Sequence, residues 1–367
     1  MLIKYSGVFM WPLNPMHTIG ESIFHADEKL YTPYRLQQPI FYNSTDIPPA
    51  DTNWPTESAP CSIDIQKIAD VCLYPRRVAI KDNHIIRPSF FKHPNHKHGA
   101  VIKQADGTYR LKGFSPGQEH DVIESAIYAD TPFPKVFGHV LLEVITSFWV
   151  KDFVDPNIKI ATSVDINKYA DWFSKWGLTK EDFYQIKGPV DIKNLYVPSH
   201  TVILRRYIHP IARTYLRKVL ISSEFNTFKT FGERVYVSRL NIPDRRLLNE
   251  KECQELFEKY GFKVFYPELH TPAEQIAVFK NAKFIAGTAG SAMHNLIFSS
   301  PETKALLLSS AGWLVVADAL VTSTFKHPLG YVLGYPINTT GEFSRTQDDW
   351  IINLSDVNLA IEKHFSL

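Results

Sequence analysis

The chain of 367 residues is poor in cysteine, has almost no net charge and contains no long apolar run. Its cysteines are Cys61, Cys72 and Cys253, and this low, odd count argues against a disulfide framework. No Cys-x-x-Cys pair occurs, which argues against a structural zinc site. A net charge of +2 disfavours a general nucleic-acid binder. No segment resembles a signal peptide or a membrane span, so we expect a cytoplasmic protein, compatible with peripheral association at the inner face of the membrane.

The composition that remains is that of a globular protein, and the length favours two domains. From Val235 onward, strands predicted at 235–238, 263–266, 283–286 and 304–308 alternate with helices at 249–260, 272–281 and 291–299. This alternation is typical of βαβ units and a parallel sheet, hence of the α/β class. We expect an N-terminal domain at 1–205, a linker at 206–233, a second domain at 234–354 and a final helix at 355–367 that could cross back to the first domain.

Polar residues follow three of these predicted strands. The first is followed by Ser238 and Arg239, then by Arg245, Arg246 and Asn249; the second by Glu268, with Gln275 on the next helix; the third by Gly287, Thr288, Ala289, Gly290 and Ser291, with His294 and Asn295 on the helix that this turn opens. Ligands bind at the carboxyl ends of parallel strands, and a glycine-rich turn at a helix N-terminus favours phosphate. The sequence therefore predicts a site for a phosphorylated ligand, most simply a nucleotide.

Structural alternatives exist for each of these residues. Arg239 and Arg246 could instead pair with Glu250 or Glu252, and glycine-rich turns join many strands to helices without binding a ligand. His294 could be a histidine whose hydrogen bonds are satisfied within the fold. The glycine-rich turn is a stronger indication of phosphate binding here, because it follows a buried strand within a βαβ series.

A histidine and a carboxylate lie on one face of the predicted helix 138–150. His139 and Glu143 are four residues apart, so Glu143 could orient His139 and raise its basicity, as in general-base sites. The alternative is a pair that satisfies itself in the core. The loop with His84, His93, His96 and His98 matches no metal-ligand spacing, and no metal site is expected there.

Together these motifs resemble glycosyltransferase family 61, the capsular-polysaccharide-biosynthesis type. The resemblance covers Tyr236-Val237-Ser238-Arg239, Arg245-Arg246-x-x-Asn249-Glu250, Gly261-Phe262, Pro267-Glu268 with Glu274-Gln275, and the segment from Gly287 to Phe298; Gly138-His139-x-x-x-Glu143 is similar to the family's upstream Asn-Tyr-x-His-x-x-x-Glu element. Two positions depart from the family: Ala289 stands where many members have histidine, and Val136-Phe137 replaces the Asn-Tyr.

The resemblance implies a GT-B fold, with two Rossmann-like domains facing a cleft, and an inverting enzyme without a metal or other cofactor. Its partners would be a nucleotide-sugar donor and a glycan or lipid-linked glycan acceptor in bacterial surface polysaccharide synthesis. Arg239 and residues 287–291 would hold the diphosphate of the donor, and Glu268 and Gln275 would contact its nucleobase or ribose. His139 would act as the general base, supported by Glu143. An inactive sugar- or nucleotide-binding protein stays open, as does a Rossmann-type nucleotide-sugar-modifying enzyme, although no Gly-x-Gly-x-x-Gly follows the first strand.

Overall fold

The computed structural model describes residues 10–11, 20–26, 38–44, 63–82, 84–89, 100–103, 105, 109–111, 120–204, 206–222, 231–314, 316–337 and 348–367. The chain divides into two compact units. Unit 1 comprises residues 1–32, 60–203 and 209–212, and unit 2 comprises residues 33–59, 204–208 and 213–367. His93, His96 and His98, where no metal site was expected, lie outside the described residues.

The strands of the described residues, in chain order, are β1 (Met10–Trp11), β2 (Glu21–Ala26), β3 (Ile40–Phe41), β4 (Ile63–Tyr74), β5 (Val78–Lys81), β6 (His84–Ile85), β7 (Val101–Lys103), β8 (Tyr109–Leu111), β9 (Asp121–Tyr128), β10 (Lys159–Thr162), β11 (Phe183–Gln185), β12 (Val190–Pro198), β13 (Val202–Ile203), β14 (Tyr207–Ile208), β15 (Arg234–Val237), β16 (Lys263–Phe265), β17 (Phe284–Thr288), β18 (Lys304–Ser310), β19 (Leu329–Pro336) and β20 (Trp350–Ile351). The α-helices are α1 (Phe137–His139), α2 (Ile166–Ser174), α3 (Pro210–Arg217), α4 (Glu250–Lys259), α5 (Pro272–Asn281), α6 (Val316–Phe325) and α7 (Leu354–Phe365). None of the helices in the described ranges is both long enough and apolar enough to span a bilayer.

Unit 1 is built on a mixed sheet with the strand order β11-β10-β9-β12-β4-β5-β6, and β2 also pairs with β4. Strands β9, β10, β11 and β12 are parallel, whereas β4 runs antiparallel to β12. Apolar side chains such as Val71, Ala126, Ile192 and Leu195 are fully buried along these strands. The carboxyl ends of β9 and β10 therefore lie at one edge of a rigid sheet.

A single helical region connects β9 to β10 and matches the helix predicted at 138–150. It begins with α1, continues as a π-helix over Val140–Val144 and ends as a 3-10 helix over Ile145–Asp152. Its residues from Val140 to Val150 are buried, because the segment is almost entirely apolar. π-Helical turns often occur at functional sites, and this one carries Glu143.

Unit 2 contains the parallel sheet that the sequence predicts, with the order β16-β15-β17-β18-β19. Strand β20 adds an antiparallel edge and β3 pairs in parallel with β19. Read along the chain, these five parallel strands follow the 2-1-3-4-5 order of a doubly wound sheet. The predicted α/β class is thus confirmed, and α6 and β19 extend the unit beyond the elements that the sequence pattern indicated.

Helix α5 begins as predicted. Thr271 caps it and forms a reciprocal capping box with Glu274, and Pro272 occupies its first turn. The final helix α7 packs against α4, β18 and β19 and contributes Val357, Ala360 and Ile361 to the core of unit 2.

Candidate functional site

The loops that follow β15 and β17 flank the point at which the strand order of unit 2 reverses. From β15 the chain first adds β16 on one side and then β17 on the other. In open α/β sheets this reversal leaves a crevice at the carboxyl ends of the two central strands. Ser238 and Arg239 follow β15, and residues 289–291 follow β17, so the two predicted motifs meet at this crevice.

Arg239 lies directly over Gly290. A Cβ atom at Gly290 would collide with the guanidinium of Arg239, so a larger residue here would displace that guanidinium. Gly287 is equally constrained, because a Cβ there would collide with the carbonyl oxygen of Val237 on β15. The glycines that the sequence singled out therefore allow close approach: one to the neighbouring strand, the other to a cation.

The turn after β17 is anchored to the sheet and opens a short helix. The amide of Ala289 donates to the carbonyl of Leu308 on β18 at 2.8 Å. A 3-10 helix then runs from Ser291 to Phe298, with Gly290 as its N-cap and no side-chain cap. Ser291 is therefore the first helical residue. The first amides of a helix have no partner within it, so they are available to an anion.

The side chain of Glu250 connects the loop after β15 to the end of β17. Its buried Oε1 accepts hydrogen bonds from the amide of Arg239 at 2.7 Å, from Thr288 Oγ1 at 3.1 Å and from Ser238 Oγ at 3.2 Å. Burial raises the pKa of this carboxyl, and the hydrogen bonds oppose that rise. Glu250 thus pairs with Arg239, as the structural alternative suggested, but through the backbone amide of Arg239. The guanidinium of Arg239 instead donates to Asp244 O at 3.1 Å.

A second cation stands near the first. The guanidinium of Arg245 lies 3.7 Å from the ring centroid of Trp313, in the loop after β18. Burial lowers the pKa of Arg245, and the charge of Arg239 lowers it further. Burial also lowers the pKa of Arg239. Two neighbouring, partly desolvated cations favour a bound anion, because it would relieve both effects.

Arg246 and Asn249 point to the end of the chain instead. Arg246 Nε and its amide bond the carboxylate of Asp349 at 3.0 and 2.8 Å. Asn249 bonds both the carbonyl and the amide of Ile352, at 2.9 and 3.1 Å. These contacts hold residues 349–352 against the loop after β15, so both side chains have a structural role.

The residues predicted to contact a base or ribose differ in exposure. Glu268 is exposed after β16 and accepts a hydrogen bond from Asn241 Nδ2 at 2.8 Å. Gln275 is buried: its amide nitrogen donates to Pro267 O at 2.8 Å, and its oxygen accepts from Asn295 Nδ2 at 3.1 Å. Gln275 and Asn295 therefore join α5 to the helix 291–298, whereas Glu268 is available to a ligand.

His294 faces a buried carboxylate that the sequence did not indicate. Its Nε2 lies 3.5 Å from Asp318 Oδ1, and both side chains are almost fully buried. Burial keeps the pKa of Asp318 well above its ordinary value. Asp318 lies on α6, a helix whose apolar sequence carries no periodic signal, so pattern reasoning did not find it.

In unit 1, His139 and Glu143 form the hydrogen bond that their spacing predicts. His139 Nδ1 donates to Glu143 Oε1 at 2.6 Å, and Glu143 Oε2 accepts from Thr131 Oγ1 at 2.6 Å. The carboxylate is fully buried, whereas a quarter of the imidazole is exposed. With Nδ1 as donor, Nε2 is the acceptor nitrogen, as a general base requires. The carboxylate fixes both the orientation and the tautomer of the imidazole.

A buried arginine lies near this pair and was not predicted. The amide of Arg77 donates to Asp130 Oδ2 at 2.8 Å, and its guanidinium bonds Asp130 O and, at 2.9 Å, His200 Nε2. Burial lowers the pKa of Arg77, while Tyr128, Glu143 and Asp130 oppose this shift. Asp130 follows β9, and Arg77 stands in the turn between β4 and β5. Residues so distant in sequence leave no spacing signal.

A search of curated proteins found no significant match to the chain. A family model does match: residues 137–306 align with the model described as Glycosyltransferase 61. This span begins at α1, includes His139 and Glu143, and extends through the loops after β15 and β17 into β18. It therefore contains the His139–Glu143 pair and the contact of Arg239 with Gly290. Residues 137–306 are thus similar to the glycosyltransferase 61 family, and this match supports a glycosyltransferase.

Proposed function

We propose that the chain is an inverting glycosyltransferase of the GT-B type, which moves a sugar from a nucleotide-sugar donor to a glycan acceptor without a divalent metal. The observation that carries the proposal is the packing of Arg239 over Gly290 at the strand-order reversal of unit 2. The family match supplies the reaction class. The family resemblance supports the proposed role in bacterial surface polysaccharide synthesis and a glycan or lipid-linked glycan acceptor. The proposed cytoplasmic location, compatible with the inner face of the membrane, rests on the sequence composition described above.

The donor's diphosphate is assigned to the loops after β15 and β17. When the glycosidic bond breaks, negative charge grows on the leaving diphosphate. Arg239, Arg245 and the first amides of the helix 291–298 provide positive charge that is already in place, so little reorganisation is needed. These protein cations can perform the task that a divalent ion performs in other transferases. Exposed Glu268 is assigned to the ribose, because its carboxylate can accept hydrogen bonds from the ribose hydroxyls.

His139 is assigned as the base. The acceptor hydroxyl attacks the anomeric carbon from the face opposite the diphosphate, and its proton passes to His139 Nε2. Glu143 then stabilises the imidazolium through Nδ1, and Thr131 keeps the carboxylate in position. A single displacement of this kind inverts the anomeric configuration.

The proposal is tested by nucleotide release from a panel of nucleotide-sugars, with and without glycan acceptors, in the presence of EDTA. We expect one donor to be consumed and His139→Ala to slow turnover by about 10²- to 10⁴-fold, the usual contribution of a general base. His84→Ala is the matched control, since His84 contacts only the carbonyl of Asp82 among the bonds found for its ring. Turnover of His139→Ala at the wild-type rate would refute the assigned base, and NMR of the product anomer would show whether inversion occurs.

A further inference from the structure

A cysteine, a histidine and an aspartate converge on the sheet of unit 1. Cys72 on β4 and Asp191 on β12 are directly opposed in the antiparallel register, and His120 immediately precedes β9. One potential ligand atom from each of the three side chains lies within 4.8 Å of the others. Because β9, β12 and β4 are adjacent strands, the sheet holds this cluster rigidly.

The distances within the cluster match those of a tetrahedral metal site. His120 Nδ1 lies 3.8 Å from Cys72 Sγ and 3.3 Å from Asp191 Oδ2. With zinc–sulfur bonds of about 2.3 Å and zinc–nitrogen or zinc–oxygen bonds of about 2.0 Å, tetrahedral ligands stand about 3.5 Å (S to N) and about 3.3 Å (N to O) apart. A metal ion therefore fits between the three atoms with small adjustments.

Hydrogen bonds also act in this cluster, since Cys72 bonds Asp191 and Tyr74, but the ring of His120 is placed in an unusual way. The same nitrogen, Nδ1, faces the thiol and both carboxylate oxygens, although it can carry only one proton. In a nucleophilic triad the two ring nitrogens would instead serve different partners. The contact to each carboxylate oxygen is 3.3 Å long, whereas the His139–Glu143 bond in the same unit measures 2.6 Å. Three ligand atoms converging on one point are what a cation requires.

The cluster is open to solvent and separate from the proposed reaction site. Cys72 and Asp191 line a cavity of about 350 Å³, which can supply water as a fourth ligand. Cys72 and His120 are partly exposed. His120 precedes β9, whereas Asp130 and Thr131 follow it, so about 25 Å of strand separates the two places.

We propose that Cys72, His120 and Asp191 bind a zinc ion that ties β4, β12 and the start of β9 together. The thiolate, imidazole and carboxylate set suits zinc, and binding releases the thiol proton to solvent. The site is independent of sugar transfer. The ligands are 48 and 71 residues apart along the chain, so they form no short motif that the sequence could show.

Cobalt substitution tests the site in the full-length protein. The reduced chain is freed of metal with a chelator and titrated with Co²⁺, which replaces zinc and gives near-ultraviolet charge-transfer absorbance when a thiolate binds it. We expect saturation at one Co²⁺ per chain, loss of the band when Zn²⁺ is added, and no band in Cys72→Ser. Asp191→Asn should weaken Co²⁺ binding at least tenfold.

Two variants serve as matched controls. Cys253→Ser removes a buried thiol of unit 2, and Asp70→Asn removes a carboxylate that lines the same cavity outside the cluster. Both should keep the band. Failure of the wild-type chain to bind one equivalent would overturn the site without reference to any variant. A band that survives in Cys72→Ser, or disappears in Cys61→Ser, would assign the thiolate elsewhere and equally reject the proposal.

Discussion

At the scale of single residues, the candidate base depends on a buried carboxylate with a partner for each oxygen. Glu143 is fully buried, and Thr131 and His139 each bond one of its oxygens. A buried carboxylate without such partners would be costly, so the three side chains form one unit. Sequence spacing predicted the His139–Glu143 contact because it lies within one helix, but Thr131 comes from the loop before it.

Thr131→Val should reduce turnover while leaving nucleotide binding unchanged, because Glu143 loses the bond that holds one of its oxygens. Losing a hydrogen bond to a charged group costs about 1.5–3 kcal/mol, so kcat should fall about tenfold or more. Thr131→Ser keeps the hydroxyl and should restore most of the rate. Equal kcat values in the valine and serine variants would remove Thr131 from this role; steady-state kinetics provides the measurement.

Gly290→Ala should weaken nucleoside diphosphate binding, because the added methyl group occupies the place of the Arg239 guanidinium. We expect at least a tenfold rise in Kd, equivalent to about 1.4 kcal/mol. Gly188→Ala is the control, since nothing lies within 4 Å of a Cβ at that position. Calorimetry that gives the same Kd for Gly290→Ala and the wild-type chain would show that the guanidinium position is irrelevant to binding.

At the scale of elements, the sequence revealed what is local and missed what is distant. Strands β15 to β18 and their helices were predictable, because apolar runs alternate with amphipathic helices and Thr271, Pro272 and Gly261 mark helix ends. Helix α6 and strand β19 were not, since neither shows a distinct apolar period. Asp318 and Arg77 were missed because their partners come from other elements, and only the folded chain brings them together.

The turn between β4 and β5 is fixed to the ends of β9 and β10 by Arg77, Asp130 and Ser163. Asp130 is completely buried and accepts bonds from Arg77 and from the amide and hydroxyl of Ser163. Arg77→Leu keeps the amide bond to the Asp130 carboxylate but removes the guanidinium bonds to Asp130 O and His200 Nε2. It also removes the positive charge near the buried carboxylate, so it should lower the free energy of unfolding by about 3–5 kcal/mol.

Urea denaturation of four variants, Arg77→Leu, Asp130→Leu, their double variant and Arg76→Gln, provides the measurement. Arg76→Gln, at the exposed neighbouring position, should change stability by less than about 0.5 kcal/mol. The double variant Arg77→Leu with Asp130→Leu should be less destabilised than the sum of its single changes, since the unpaired charge is gone. Additive losses would indicate that the two residues do not act as a pair.

At the scale of the whole molecule, the proposal assigns the base to unit 1 and the diphosphate cations to unit 2. Neither unit alone is therefore expected to turn over substrate. The strand orders could be predicted only in part: the sequence indicated parallel pairing in unit 2, but pairing of β3 with β19 joins residues almost 300 apart and carries no local signal.

Unit 2 should lose stability as pH falls from about 6.5 to about 4. Burial lowers the pKa of both His327 and His364 to about 4, whereas in the unfolded chain a histidine titrates near 6.5. In that interval the unfolded state binds protons that the folded state does not, so each histidine reduces the free energy of unfolding, by up to about 3 kcal/mol at the acidic end. His364→Gln should flatten the pH dependence in urea titrations at pH 7 and pH 5, and an unchanged slope would contradict this.

The most direct test of the central claim is calorimetric titration with a panel of nucleoside diphosphates in the presence of EDTA. The account predicts that one of them binds the wild-type chain without a divalent ion and that Arg239→Ala, shown to be folded by circular dichroism, loses at least tenfold in affinity. Arg213→Ala, at an exposed position of α3, should bind like the wild-type chain. Wild-type affinity in Arg239→Ala, or binding that appears only when a divalent ion is added, would contradict the account.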